Sequence, residues 1–503
     1  MAETIKGVVQ TNKGPVKIAG EPGATFTPHV SEDLVLSWTN DKGLDNPEPV
    51  KIPTGKIETD DTLTVSGDAA DAKITGEKIN ELSETISGHD VGIALTHTPS
   101  PQKPQTYIIN NVQDSTTYRG SGITENTTDH ILWDKCVNVS GTSAYIRWHK
   151  NYSAYSVNLK DNLFVVKIKI NSIASGAEMY IKVGNSTNSS NLVPYSLMRN
   201  GEATIYGEWQ EFTFAYNAYS VENYSGDITA IDFEKIDDIY ILVTNGAADF
   251  DVQFIGYRPN QQNKGILSFT FDDGWKTAAD GIKALAERGA TGTLYVIEEA
   301  TSDSYLTVAE MQELVQLYGT DIEAHGGTEY QNMTDEQLVK HWVSVKNFLR
   351  ENGLGSGDHL AYPGGKNPTR VYNLAKKYFQ SCRTITGYNQ LESFPPCDAH
   401  RVRAITSVSQ NGTNNARRMK EYIDHAAESK TWLILVFHKI DDGTGNESCN
   451  MTTFEEIVDY AVNADVDIMN IAEVFESSAN GTNITNIARA VINALPVYNG
   501  EVV

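Results

Sequence analysis

The sequence predicts a multidomain chain: a small N-terminal β segment with a short helix, a central β-sandwich, and a C-terminal parallel sheet closed, or nearly closed, into a β/α barrel. Three observations predict it. At 503 residues the chain exceeds one ordinary domain, and roughly two to four are expected. From about residue 105 to 258, alternating or continuously apolar runs are divided by Asn/Ser/Gly-rich turns, which is the layout of a sandwich. From residue 264 onward, apolar strands alternate with helical periodicities, which favours a parallel sheet.

Residues 1–60 are rich in Gly, Pro, Thr and Asp, and their short alternating runs between turn residues predict small β-structure. The string Ser37-Trp-Thr-Asn40 followed by Gly43-Leu-Asp-Asn-Pro-Glu-Pro-Val50 resembles N-terminal segments of phage tail and baseplate proteins from Gram-positive hosts. Residues 61–104 read as a helical linker. Within it Ala72, Thr75, Ile79, Leu82 and Ile86 follow a 3,4,3,4 spacing. That stripe suits either a short trimeric coiled coil or a single amphipathic helix lying on a neighbouring domain.

In the sandwich region the expected strands include Phe164–Ile170, Met179–Val183, Trp209–Tyr216, Asp238–Val243 and Asp249–Ile255. The layout resembles jelly-roll modules that bind carbohydrate, with no motif to add to it. Trp133, Tyr145, Trp148, Tyr152 and Tyr155 are the aromatics available for stacking on sugar rings. Each is more readily explained as core or interface, and none is assigned as a ligand. Arg258-Pro-Asn-Gln-Gln-Asn-Lys-Gly265 breaks both periodicities and is the linker into the last domain.

That domain, residues 264–503, opens with Ile266-Leu-Ser-Phe-Thr-Phe-Asp-Asp-Gly274. A buried strand there delivers Asp272 and Asp273 to the mouth of a sheet, and Gly274 permits a sharp exit. Adjacent residues at a strand end point in different directions, so one carboxylate is able to hold a metal while the other serves as a base. Taken alone, Asp-Asp-Gly is more often a surface turn. The order of later pieces changes that: a helix over Lys276–Arg288, a strand Thr291–Ile297, Asp321-Ile-Glu-Ala-His325, Ala361-Tyr-Pro-Gly-Gly365 and Leu433-Ile-Leu-Val-Phe-His438. Capping-box spacings at Thr334–Gln337 and Thr453–Glu456 mark two helix starts, the first leading into Leu338, Trp342, Val345 and Leu349 on one face.

This ordered set resembles the polysaccharide deacetylase family, metal-dependent carbohydrate esterases related to chitooligosaccharide and peptidoglycan deacetylases. The resemblance covers about residues 264–475 and implies a distorted, incomplete (β/α) barrel with its site at the carboxyl ends of the strands. It implies that Asp273 and His325 bind a divalent metal, zinc first, with manganese, cobalt or nickel as alternatives. It makes Asp272 the base and His438 the acid, with Tyr362, Pro363 and Gly364 forming a wall of the substrate groove. Three departures stand out. Glu329 occupies the position four residues after His325 where a second His is usual, in a segment about two residues short; it is expected either as the third ligand or swung away, with water completing the site beside Asp273 and His325. The aromatic-Pro-Gly loop lacks the arginine that often precedes it. The usual acidic residue and tryptophan before the last His have no counterpart, and Arg383 and Arg403 lie in that region instead.

A hydrophobic fraction of 40% with 21% charged residues is that of a folded, soluble protein. The net charge of −25 argues against nucleic acid as a partner. Cys136, Cys382, Cys397 and Cys449 form no CxxC, so neither a zinc knuckle nor a disulfide framework is indicated, although Cys382 and Cys397 are free to pair in space. No apolar run is long enough to insert in a membrane, and the N-terminus shows no signal peptide. These points lead to two readings. In one, a homotrimeric virion tail protein, in contact with other tail or baseplate proteins, deacetylates an acetylated glycan at the host cell surface. In the other, the same fold is a catalytically weakened module that grips the glycan.

Overall fold

The structure is a computed structural model and describes residues 7–11, 14–18, 26–30, 35–40, 49–51 and 103–480, apart from 189–190, 198–204, 220–225, 299, 301, 386–390 and 446. The helix expected within 61–104 and the last residues of the chain lie outside this set. The chain divides into two compact units, Met1–Val91 and Gly92–Val503. In the first, β1 (Gly7–Thr11) and β2 (Gly14–Ile18) form an antiparallel hairpin. There β3 (Phe26–Val30), β4 (Val35–Asn40) and β5 (Val50–Lys51) form a three-stranded antiparallel sheet. The small β-structure expected there is present.

The second unit begins with the sandwich. Its strands are β6 (Tyr107–Asn110), β7 (Arg119–Ser121), β8 (Ile123–Asn126), β9 (Cys136–Thr142), β10 (Tyr145–His149), β11 (Asn162–Ile173), β12 (Glu178–Gly184), β13 (Val193–Ser196), β14 (Trp209–Phe214), β15 (Asp238–Thr244) and β16 (Ala247–Pro259). One antiparallel sheet runs β13-β12-β15-β10-β7, and the other β14-β11-β16-β9-β8 with β6 paired to the end of β16. Alternation puts Ile146, Trp148, Ile181 and Ile241 of one sheet against Val139, Ile168, Phe250 and Val252 of the other, all fully buried. Trp148 is thus core, whereas Trp133 is 42% exposed with its edge against Phe254.

The barrel follows as β17 (Gly265–Phe271), α1 (Ala278–Glu287), β18 (Gly292–Val296), α2 (Val308–Tyr318), β19 (Asp321–Ala324), α3 (Asp335–Glu351), β20 (His359–Ala361), α4 (Thr369–Ala375), β21 (Ser381–Arg383), α5 (Ala416–Ser429) and β22 (Trp432–Phe437). It ends with β23 (Lys439–Asp441), β24 (Ser448–Asn450), α6 (Met451–Ala461), β25 (Val466–Ile468) and α7 (Ile471–Asn480). Seven parallel strands form the sheet in the order β21-β20-β19-β18-β17-β22, with β25 also paired to β17. Every residue of β17 and β22 is buried, because helices cover both faces of such a sheet. Strands β21 and β22 do not pair with each other. The segment 402–405 spans the gap, with a parallel bridge from Val402 to Arg383 and another from Ile405 to Leu435. The barrel is therefore distorted and incomplete, as expected.

Helix α3 starts at the expected capping box, with Thr334 and Gln337 exchanging side-chain and backbone bonds, and buries Leu338, Trp342, Val345 and Leu349. The second expected box is corrected. Strand β24 hands directly into α6, so Asn450 takes the N-cap and its side chain accepts from the Thr453 amide at 2.8 Å. Thr453 is the third helical residue, not the cap. The four cysteines are free, and Cys382 and Cys397 form no disulfide.

Candidate active site

The parallel register sends the carboxyl ends of neighbouring strands to one mouth. Phe271 pairs with both Leu294 and Phe437, so Asp272, Asp273 and His438 leave the sheet side by side. Val296 pairs with Ala324, which places His325 next, and Ala361 pairs with Arg383 on the far side. There the strands open on a cleft of about 960 Å³. Its walls include Asp272, Asp273, His325, His438, Glu329 and the loop 362–365.

Two consecutive left-handed residues, Asp273 (φ 73°) and Gly274 (φ 79°), turn the chain at once after β17. The two carboxylates part as a result. Asp272 is 5% exposed and faces Arg383, whose Nη2 donates to both of its oxygens at 2.6 Å. The guanidinium also lies over the Tyr295 ring, 5.0 Å from its centroid. Arg383 reaches the carboxylate from the end of β21, the strand next to the one that leads into the 362–365 loop.

Asp273 turns the other way. Its Oδ1 lies 3.3 Å from His325 Nε2, and its Oδ2 accepts from Trp275 Nε1 at 3.0 Å. Burial works against its ionisation, but the bond to His325 and the nearby charge of His325 and His438 hold the carboxyl at about 2. Burial likewise works against a charged His325, and the Asp273 bond and both aspartate charges outweigh it to raise the ring above its ordinary value. His325 Nδ1 sits 2.7 Å from the Ala361 carbonyl, so it carries the proton and leaves Nε2 facing Asp273. A metal-binding imidazole is commonly fixed in this way.

The donor set fits a divalent ion. Ligand atoms of Asp273, His438 and Glu447 lie within 4.8 Å of one another, and His325 adds a second imidazole beside Asp273. Mixed carboxylate and imidazole donors suit zinc and its neighbours among the transition ions. Glu329, expected as the third ligand, lines the same cleft but is not part of this group. Its Oε1 pairs with Lys366 Nζ at 2.6 Å and its Oε2 accepts from Gln331 at 2.6 Å. The nearby ammonium of Lys366 has claimed the carboxylate.

The loop expected as a groove wall, residues 362–365, lines the cleft. Tyr362 is 1% exposed, and its hydroxyl donates away from the cleft to the His400 carbonyl at 3.1 Å. Pro363 is buried as well, so the exposed part of this wall is Gly364, in the left-handed region at φ 57°. Sequence reasoning missed an aromatic pair at the mouth. Trp275 and Tyr305 stack at 4.3 Å and 23°, with Lys439 Nζ 4.1 Å from the Trp275 centroid. Trp275 was visible as the residue directly after Asp-Asp-Gly, whereas Tyr305 and Glu447 come from loops that carry no motif.

Residues 260–379 match the model of the polysaccharide deacetylase family, so the chain carries a polysaccharide deacetylase domain, of the metal-dependent hydrolase class. No curated protein matches the chain. Among solved structures it is similar to a family 4 carbohydrate esterase from Streptomyces lividans in complex with acetate. That match has 13% identity over 41% of this chain and 91% of that one, with a TM-score of 0.30. A peptidoglycan deacetylase from Bacillus subtilis matches at 12% identity over 45% of this chain and 98% of that one, with a TM-score of 0.30. A family 11 carbohydrate-binding module from Clostridium thermocellum, in complex with a β-1,3-1,4-mixed-linked tetrasaccharide, matches at 11% identity. It covers 31% of this chain and 98% of that one, with a TM-score of 0.25.

Proposed function

We propose that the polysaccharide deacetylase domain removes acetyl groups, from nitrogen or oxygen, of a cell-surface polysaccharide. The observation that carries this reading is the parting of two adjacent aspartates at one cleft, Asp273 toward His325 and His438, and Asp272 onto Arg383. Asp272 takes the proton of the water that attacks the acyl carbon. Arg383 fixes the carboxylate for that task. His438 gives a proton to the departing amine or alcohol as the acyl bond breaks, leaving acetate. Asp273 and His325 hold the divalent ion, zinc by preference, which when bound polarises the acyl oxygen and acidifies water. Gly364 and Tyr305, the latter stacked on Trp275, border the space left for sugar.

Metal-loaded protein is expected to release acetate from an acetylated glucosamine polymer or a related glycan, and a chelator to abolish the release. A folded, metal-loaded sample that frees no acetate from chitooligosaccharide, peptidoglycan, acetylated xylan or host capsule overturns the reading. One observation favours a glycan-gripping module instead: Glu329, the expected third ligand, is engaged by Lys366. That reading predicts retention on the same glycans without acetate. The string from Ser37 to Val50 supports a setting on a phage tail acting on the host envelope, and the 3,4,3,4 stripe from Ala72 to Ile86 suits a homotrimer. Sedimentation of the full chain as a monomer overturns the trimer.

A further inference from the structure

We propose that Glu447 is a ligand to the divalent ion beside Asp273, and that it takes the part the chain order gives to Glu329. The inference rests on the deacetylase reading only for the presence of an ion. Glu447 lies in the 442–447 loop between β23 and β24, 174 residues after Asp273 in the chain, where no motif marks it. Two features put it at the mouth. Its carbonyl accepts from the Lys439 amide at 3.2 Å, which ties it to the residue after His438. Its backbone is left-handed at φ 61°, a conformation costly for a non-glycine residue, so the turn holds the side chain to one side. A ligand oxygen of Glu447 then lies within 4.8 Å of ligand atoms of both Asp273 and His438.

The two glutamates differ in how they are engaged. Glu329 has one oxygen on an ammonium and the other on an amide. The Glu447 carboxylate has neither hydrogen bond nor ion pair among the described residues, and it is exposed, so binding an ion breaks no existing contact. Spacing agrees as well. Donors about 2.0–2.1 Å from a tetrahedral ion stand roughly 3.4 Å apart. His325 Nε2 and Asp273 Oδ1 already have that separation at 3.3 Å, and a Glu447 ligand atom lies within 4.8 Å of Asp273 on its other side, next to His438. Asp273 and Glu447 give the ion two carboxylates, and His325 offers an imidazole from the side of Asp273. His438 stays beside them as the proton donor.

The test uses the full chain stripped of metal and titrated with cobalt, followed by calorimetry and by the visible absorption of the bound ion. Asp273→Ala serves as the reference for a lost ligand. Glu447→Gln is expected to weaken cobalt at least tenfold and to alter the absorption band, with an unchanged melting temperature because the side chain is exposed. Glu329→Gln is expected to bind as the wild type does. Unchanged affinity and spectrum in Glu447→Gln overturn the proposal, as does a loss in Glu329→Gln equal to or larger than that in Glu447→Gln. A wild-type chain that takes up cobalt but releases no acetate overturns the enzymatic reading and leaves this one standing. A wild-type chain that takes up none overturns both.

Discussion

At the scale of single residues, the site depends on which partner each carboxylate keeps. Asp273→Ala removes a ligand and is expected to lose bound metal and acetate release together. Asp272→Asn keeps the metal and loses about 10²–10⁴ in turnover, because an amide takes no proton at neutral pH. Metal content after dialysis separates the two, and equal loss in both contradicts the division of roles. Arg383→Met leaves the Asp272 carboxylate buried and uncompensated, which costs on the order of 3–5 kcal/mol. Adding Asp272→Asn should return part of that loss in urea unfolding, and no recovery would mean the pair is not coupled. A buried histidine sets a pH response. His359 is 3% exposed, packs on Phe475 and bonds Ser381 at 2.7 Å, and burial, with only partial relief from Asp358, lowers its pKa to about 4. A folded value below the unfolded one gives stability that is full above pH ~6.5 and lost as pH falls through about 4, of the order of 3 kcal/mol. Urea midpoints of wild type and His359→Gln at pH 7 and pH 4 should therefore converge on acidification.

At the scale of elements, the 362–365 loop is closely packed at its end. Gly365 sits at φ 69°, and a Cβ there would lie 2.3 Å from Ile385 Cγ1 and 2.8 Å from Ile385 N. The backbone nitrogen is unable to step aside as a side-chain end would. Gly365→Ala is expected to cost about 1–3 kcal/mol and to move the groove wall. Its signature is a raised KM for glycan with metal affinity intact, and wild-type kinetics would show that the wall has no part in binding. This loop is rigid for a reason visible in its neighbours. Asn367 donates to the Gly365 carbonyl at 2.7 Å and to Thr384 Oγ1 at 2.9 Å, so the turn is fastened to the strand that carries Arg383.

At the scale of the molecule, the sandwich and the barrel share a core. Leu163, Ala215 and Ala218 of the sandwich belong to the barrel's own cluster of buried side chains. Polar bonds reinforce the seam: Arg403 donates to the Thr213 carbonyl at 3.0 Å while pairing with Glu392, and Asn217 donates to the His425 carbonyl at 2.9 Å. A β/α pattern complete in sequence suggests that residues 260–503 fold alone. The shared core argues for one cooperative unit instead, because separating the two exposes apolar surface and leaves buried polar groups unpaired. Calorimetry of the full chain should show one transition for residues 103–480. Two well-separated transitions, one for each fold, would contradict this.

The sequence by itself determined the elements and the centre of the site. Continuous apolar runs marked β17 and β22, the 3.6-residue stripe marked α3, and the order of Asp272, Asp273, His325 and His438 placed four residues that share one cleft. These are local signals, written in periodicity and in short motifs at strand ends. The tertiary structure alone decided the partners. Whether Glu329 or Glu447 faces the ion depends on where Lys366 falls and on a turn after β23, neither of which is written near His325. Arg383 meets Asp272 across the barrel mouth, from β21 at the end of the sheet to the end of β17, a contact between residues 111 positions apart in the chain. Tyr362 was legible as part of the loop, but the inward direction of its hydroxyl was set by the His400 carbonyl across the core. Long-range register and charge pairing are properties of the packed chain, and no window of sequence contains them.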